Sequence, residues 1–341
     1  MAADPDALGI PAGMMVTRRQ VLAVIATAPL SIARSSGAAG DAAYPRGPVR
    51  FIVPLPAGGA SDFLARLTGA KLGDALGQPV VVENRPGAAG RIAMDYAAKA
   101  APDGQTIFLA TNGTSSIGPN QPVRQATDLN RSFTPVTKLA RLPIVIAVAP
   151  TLGIDTLREL LDRARRAPGT LAYASSGVGS TSHLAAQLLC MRANVTLVHV
   201  PYAGTAFAVK DVLSGDVPII FSNMGTIAGH VRSGQLRALA VAGAQRVDAL
   251  PGVPTVAESG FPGFDVTTWL GVLVPAGTPA PIVARLHDEL VRIVRLPDVR
   301  EQMASASMEP VGNAPAEFAA ELDADGERWA KVIRESRIPV E

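Results

Sequence analysis

The sequence predicts an α/β architecture with largely parallel sheets, split into about two domains. Three observations predict it. After Tyr44, short apolar runs rich in Val and Ile alternate with stretches of helical periodicity, joined by short connections. The 341 residues exceed what one typical core holds. Apolar residues make up 48% and charged residues 18%, which is a globular composition.

Each element follows from its own pattern. "VRFIVPL" (49–55) reads as a strand and "SDFLARLTGAKLGDALG" (61–77) as a helix ended by glycine. "PVVVEN" is a strand, "RIAMDYAAKAAPDG" a helix ended by a turn, and "QTIFLATN" a strand. "PIVIAVAP" (143–150) is a further β-branched run, and "TLRELLDRARRAPG" (156–169) is a clear amphipathic helix. Beyond it come "TLAYASS" (strand), "TSHLAAQLLCMRAN" (helix), "VTLVHVPY" (strand) and "AFAVKDVLSGDV" (helix). "PIIFSNM" and "LRALAVAG" are strands on either side of the helix "IAGHVRSGQ". The C-terminal stretches from Pro279 and from Ala314 read as helices alone. No internal repeat or low-complexity linker stands out.

The N-terminus has a different character. Arg18 and Arg19 precede an uncharged apolar stretch, Val21 to Ala33, and small residues follow. That is the layout of an export signal, and it is too short to span a bilayer. The arginine pair fits a twin-arginine address and equally the basic start of an ordinary signal. No cysteine follows the apolar run, so no lipid anchor is expected. Translation is expected to start at Met14 or Met15, and the mature, soluble, exported protein near Tyr44. The leader is therefore placed at 1–43.

Several function classes are excluded by composition and motif. The net charge of +2 comes with no clustered basic face, and aromatics are only 4%, so a nucleic-acid partner is not expected. Cys190 is the only cysteine and lies in an apolar helical pattern, which reads as a buried, inert thiol. There is no P-loop, no H-E-x-x-H and no G-x-S-x-G, and "GVGSTS" departs from the dinucleotide fingerprint at its last position. No metal or cofactor is expected. His199 sits in an apolar strand and reads as a core residue, while "RARR" (163–166) reads as a solvated helix face.

In open parallel sheets, ligands bind beyond the carboxyl ends of strands, where helices begin. Four such junctions are rich in oxygen-binding groups. In "PLPAGGASD", Gly58 and Gly59 let the backbone turn tightly, the amides from Ala57 to Ser61 lie near a helix start, and Ser61 can cap it or donate outward. Asp62 in that first turn complements the helix dipole. In "ASSGVGSTSHL", five hydroxyls and two glycines exceed what a capped turn needs, which points to Ser176, Gly177, Gly179, Ser180 and Thr181. The third junction offers Tyr202, Gly204 and Thr205, and the fourth Asn112, Thr114 and Ser115. None of these turns contains Lys or Arg, so a site built from them holds an anion with amides, hydroxyls and helix ends. Such a site suits a small carboxylate better than a triphosphate. The rival class is an exported hydrolase using Ser180 or Ser176 with His183, although no acidic partner for the histidine is evident.

"VRFIVPLPAGGASDFLAR", "VVVENRPGAAG", "APDGQT", "YASSGVGSTSHLAAQLL", "HVPYAGT" and "LPGVPTVAESGFPGF" occur in the order found in the Bug family. From Tyr44 onward the chain resembles these extracytoplasmic solute receptors of tripartite tricarboxylate transporters. The resemblance implies a two-lobed periplasmic-binding-protein-like (type II) fold that closes on its ligand, each lobe a mostly parallel sheet flanked by helices. It places lobe 1 at 44–142 plus 265–341 and lobe 2 at 143–264. It also implies that "PLPAGGAS" and "ASSGVGSTS", one per lobe, hold a small carboxylate, and that a monomeric receptor passes it to membrane permease subunits. A ligand-sensing role for a signalling partner would use the same closed form. Two positions depart from the pattern. Leu55 stands where members often have Phe, and Ser222 and Asn223 stand where they often have an aspartate, which makes an amino-acid ligand less expected.

Overall fold

The computed structural model describes residues 44–117, 129–202 and 204–336; the export signal expected over 1–43 lies outside the described residues. Strand β1 (Val49–Val53) is buried on both faces, as a parallel strand under helices must be. A glycine-containing turn leads to helix α1 (Ala60–Leu76), which Gly77 closes in the left-handed conformation. Strand β2 (Val80–Asn84), helix α2 (Arg91–Ala98) and strand β3 (Thr106–Thr111) follow. Both β2 and β3 run parallel to β1, on opposite sides of it.

A five-residue π-helical turn, Gly113–Ile117, follows β3, and the short helix α3 (Leu129–Ser132) precedes β4 (Phe133–Val148). At 16 residues β4 is long, and it serves two sheets. The second sheet is built from α4 (Leu157–Arg166), β5 (Ala172–Ser175), α5 (Thr181–Ala193), β6 (Val198–Pro201), α6 (Thr205–Ser214), β7 (Ile219–Asn223), α7 (Met224–Arg232) and β8 (Arg237–Val241). The chain then returns through β9 (Thr267–Pro275), α8 (Ala280–Val294), α9 (Pro297–Ser305), β10 (Glu309–Pro310) and α10 (Pro315–Ser336).

The strands lie in the order β2-β1-β3-β9-β4-β7-β5-β6. Residues 133–143 of β4 pair with β9, and residues 144–148 pair with β7 on one side and β8 on the other. All of these central pairings are antiparallel, whereas the outer pairs β1–β2, β1–β3, β5–β6 and β5–β7 are parallel. The architecture is α/β as expected, but the sheet is mixed rather than mostly parallel. The difference has a local cause. β9 and the first half of β4 are buried runs without alternation, and Pro135 and Pro143 within β4 argue against a central strand. Register shifts between Pro135 and Thr137 and between Lys138 and Ala140 accommodate the strand beside β9.

Helices cover both faces of each sheet. One face of the first sheet packs Leu64 and Leu72 of α1 against Leu286 and Leu290 of α8, and the other packs Met94 and Ala97 of α2 against Phe318 of α10. On the second sheet α4 and α5 fill one face and α6 and α7 the other. The sequence reading assigns 265–341 as a whole to the first lobe. Helix α10, however, seats Phe318 and Leu322 under the first sheet and Trp329, Val332 and Ile333 in the core of the second. Amphipathic periodicity shows that a helix has a buried face but not that two different cores share it.

Gly271 of β9 makes room for that helix. A Cβ there would lie 2.4 Å from Phe318 Cζ and 3.2 Å from the Thr137 carbonyl oxygen. Phe318 is fully buried and packs edge-on against Trp269 at 5.3 Å, so it has little space to retreat. Gly271→Ala should therefore cost about 1–3 kcal/mol in a urea melt. Combining it with Phe318→Leu should cost less than the sum of the two single changes.

Candidate functional site

The turns after β1 and β5 are built alike. In each, the third residue of the following helix reaches back to the amide just before the N-cap. Asp62 Oδ2 accepts from the Gly58 amide at 2.9 Å, and His183 Nδ1 accepts from the Gly179 amide at 3.0 Å. Gly58 has φ +84°, and no atom lies within 4 Å of a Cβ built there, so conformation and not space calls for glycine. Asp62 is buried and ion-paired to Arg66 at 2.9 Å, and that guanidinium holds its carboxyl below the usual range. Its role is to fix the turn.

The second turn is a denser network. Ser180 caps α5 by accepting from the His183 amide at 3.3 Å, and its own hydroxyl donates to the Gly177 carbonyl at 2.7 Å. Ser182 Oγ accepts from the Ser176 amide at 3.0 Å and lies 3.0 and 3.1 Å from the Ser176 and Ser180 hydroxyls. Under the turn, the His183 and His199 rings stack at 3.8 Å with 7° between their planes. His199 Nε2 meets Ser175 Oγ at 2.7 Å, and that hydroxyl accepts from the Gly177 amide at 3.1 Å. Burial pushes the His183 pKa down to about 3, with His199 adding to the shift, and burial pushes His199 down to about 4. Both imidazoles are neutral at physiological pH. Because Nδ1 of His183 accepts a backbone amide, its proton sits on Nε2.

These turns converge on a cavity of about 420 Å³ at the strand ends of both sheets. From the first sheet come Leu55, Ser61 and residues 111–114. The second sheet contributes Ser176, residues 178–182, Gly204, Thr205 and Asn223. Among the described residues that line it, none is charged. The helices α1, α6 and α7 start here with no side-chain cap, and the amides that open them lack the intrahelical partners of later turns, apart from the Phe207 amide of α6, which donates to the Gly204 carbonyl at 3.1 Å. The Ser61 and Thr181 hydroxyls, in the first turns of α1 and α5, line the cavity and have no hydrogen-bond partner among the described residues. Helix dipoles and free donors without a cation make a field that favours a small anion.

Of the sequence-derived candidates, Leu55, Ser61, Asn112, Thr114 and Asn223 line the cavity. So do Ser176, Gly179, Ser180, Thr181, Gly204 and Thr205. Ala57, Gly58, Gly59, Gly177 and Tyr202 do not. Gly58 and Gly177 spend their amides on Asp62 and Ser175, and the Tyr202 hydroxyl donates to Asp211 at 2.7 Å. Sequence reasoning missed Leu142, Thr268 and Leu270, which reach the cavity from the crossing strands β4 and β9. No strand-to-helix junction marks them. A second cavity of about 540 Å³, beside α9 and the 247–249 loop, mixes Arg295 and Arg300 with Asp248 and Glu301, and none of the four junctions opens into it.

The hydrolase geometry is not met. Neither Ser176 nor Ser180 faces an imidazole nitrogen, because His183 Nδ1 is turned to the Gly179 amide. The serine–histidine contact that does form, Ser175–His199, pairs a buried serine with a half-buried histidine and has no carboxylate partner among the described residues. An imidazole with pKa about 4 is also a poor base at neutral pH.

A family model described as "Tripartite tricarboxylate transporter family receptor" matches residues 64–338. A relative from Pseudomonas sp. (strain P51), "UPF0065 protein in tcbD-tcbE intergenic region", is 39% identical over 95% of this chain and 96% of its own length. The solved structure "R. palustris Rpa4515 with adipate" superposes with a TM-score of 0.77 at 33% identity, covering 86% of this chain and 99% of that one. "MatC (Rpa3494) from Rhodopseudomonas palustris with bound malate" gives 0.73 at 31% identity, covering 85% of this chain and 100% of that one.

The stacked histidines make the fold acid-sensitive in a defined window. The unfolded chain takes up a proton at each histidine near pH 6.5, while the folded chain resists until about pH 4 at His199 and about pH 3 at His183. Stability present above pH 6.5 is therefore lost as pH falls through that interval. Near pH 5, unfolding should take up about two protons from this pair. The measurement is the melting temperature against pH. The double variant His183→Gln/His199→Gln should flatten the slope between pH 6.5 and 4; an unchanged slope would clear the pair of responsibility.

Proposed function

The chain belongs to the tripartite tricarboxylate transporter receptor family, whose members are solute-binding receptors and not enzymes, and from that premise we propose that it captures a small organic dicarboxylate. The observation that carries this reading is the uncharged cavity, with free hydroxyls and uncapped helix starts from both sheets. One carboxylate sits at the start of α1, on the Ser61 hydroxyl and the first-turn amides. The other sits at the start of α5, on Thr181 and the amides beside it. A diacid touching both turns stabilises the form in which they are close, and this is the driving force for closure. Relatives bound to adipate and to malate support the ligand class.

The lobes of this receptor are 44–142 with 265–341, and 143–264, with the last turns of α10 fastened to the second. Residues 1–43 export the chain to the periplasm, where the loaded, monomeric receptor delivers its ligand to membrane permease subunits.

Two measurements test the reading. In a thermal-shift panel of mono-, di- and tricarboxylates, amino acids and phosphate, dicarboxylates should raise the melting temperature most, through binding to the native state. In calorimetry, Ser61→Ala and Thr181→Val should each weaken the best diacid by about 1.5–3 kcal/mol, roughly 10- to 150-fold, because each removes a hydrogen bond to a charged group. Unchanged affinity in both variants would remove these turns from the site.

A further inference from the structure

Helix α10 has 22 residues, and Gly326 lies in its interior. Nothing local asks for glycine there. The backbone is helical, without the positive φ of the turn glycines, and a Cβ built on it meets no atom within 4 Å. Glycine inside a helix is also less favourable than alanine, because it gives up the most conformational freedom.

Gly326 stands where the helix changes partners. Before it, Phe318 and Leu322 pack under the first sheet, and Asp325 accepts from Trp269 Nε1 of β9 at 2.8 Å. After it, Trp329, Val332 and Ile333 enter the core of the second sheet, and Arg328 Nη1 donates to the Asp265 carbonyl at 2.7 Å. Asp265 is itself held on the second sheet's side. Its Oδ1 accepts from the Ala244 amide at 3.1 Å, and the Val266 amide donates to the Ala242 carbonyl at 2.8 Å, just past β8. These anchors divide at Gly326, one sheet before it and the other after. An ion pair between Asp325 and Arg328 spans the glycine, but it runs through side chains that can follow a change of backbone angle.

A helix fastened to two bodies must slide, let go or bend when the bodies move. Phe318 and Trp329 are fully buried, one in each core, and close packing resists sliding or release. Bending remains, and it costs least at glycine. Resting on the closure proposed above, we infer that Gly326 is a hinge, at which α10 bends as the two lobes close on the ligand and open again.

The test puts one spin label on each lobe, at Asp74→Cys in α1 and Arg158→Cys in α4, both exposed, with the native Cys190 buried. Pulsed electron paramagnetic resonance then gives the balance of open and closed distances, alone and with adipate or malate. Gly326→Ala should shift that balance by up to about fivefold, the helix preference of alanine over glycine. It should also raise the melting temperature by about 2 °C. The control is Gly229→Ala in α7, which is likewise helical and open to a Cβ but lies within one lobe. It should stabilise the fold and leave the distances alone. An unchanged balance in Gly326→Ala overturns the inference, and so does an equal shift in Gly229→Ala. A single fixed distance in the unaltered protein, with and without diacid, overturns it as well. If diacids move the distances but Gly326→Ala does not, the dicarboxylate reading stands and only the hinge falls. If no diacid moves them, yet Gly326→Ala rebalances two distances already present, the hinge stands and the dicarboxylate reading falls.

Discussion

The backbone hydrogen bonds of β4 are the constraint on which the molecule is built. One strand completes the first sheet with its residues 133–143 and the second with its residues 144–148. A ladder cannot be broken in the interior without leaving buried amides and carbonyls unpaired. The change of partner at Pro143 and Ile144 thus ties the two sheets together through continuous chain. Pro143 suits that point, since it has no amide to place and holds its own φ. The return strand β9 and helix α10 add two further ties, the second through apolar packing in both cores.

This arrangement sets what the cavity contains. Parallel strands on the outer parts of both sheets end in helix starts, and those ends come together over the antiparallel centre. Helix starts bring unpaired amides and a partial positive field. A lysine or arginine would bind an anion more tightly, but it would also resist release and brings its own flexibility. Preorganised amides and short hydroxyls hold a carboxylate with little to reorganise. The cost is met underneath, where Asp62 and His183 each take an amide of their turn and hold it rigid. The stacked histidines do this only as neutral rings, and so the same contacts that shape the second turn limit the fold in acid.

Much of the site was legible at the strand-to-helix junctions. The rule that ligands gather there picked out Ser61, Asn112, Thr181 and Thr205 without any structure, because the glycine and hydroxyl content of each turn is a local property. Two kinds of miss stand out. Thr268, Leu270 and Leu142 lie within strands, and their position beside the cavity depends on β9 inserting between β3 and β4. Gly58 and Gly177 looked like anion-binding amides, but their hydrogen bonds go to side chains of the protein itself.

The sequence by itself determined the alternation of strands and helices, the turns that open toward a ligand, and the family to which the chain belongs. These depend on periodicity and on short motifs, which are encoded by neighbours along the chain. Only the tertiary structure decided that the centre of the sheet is antiparallel, and that α10 serves two cores and passes from one to the other at Gly326. Each of these depends on which distant segment fills the space beside a residue, and spacing along the chain carries no record of that.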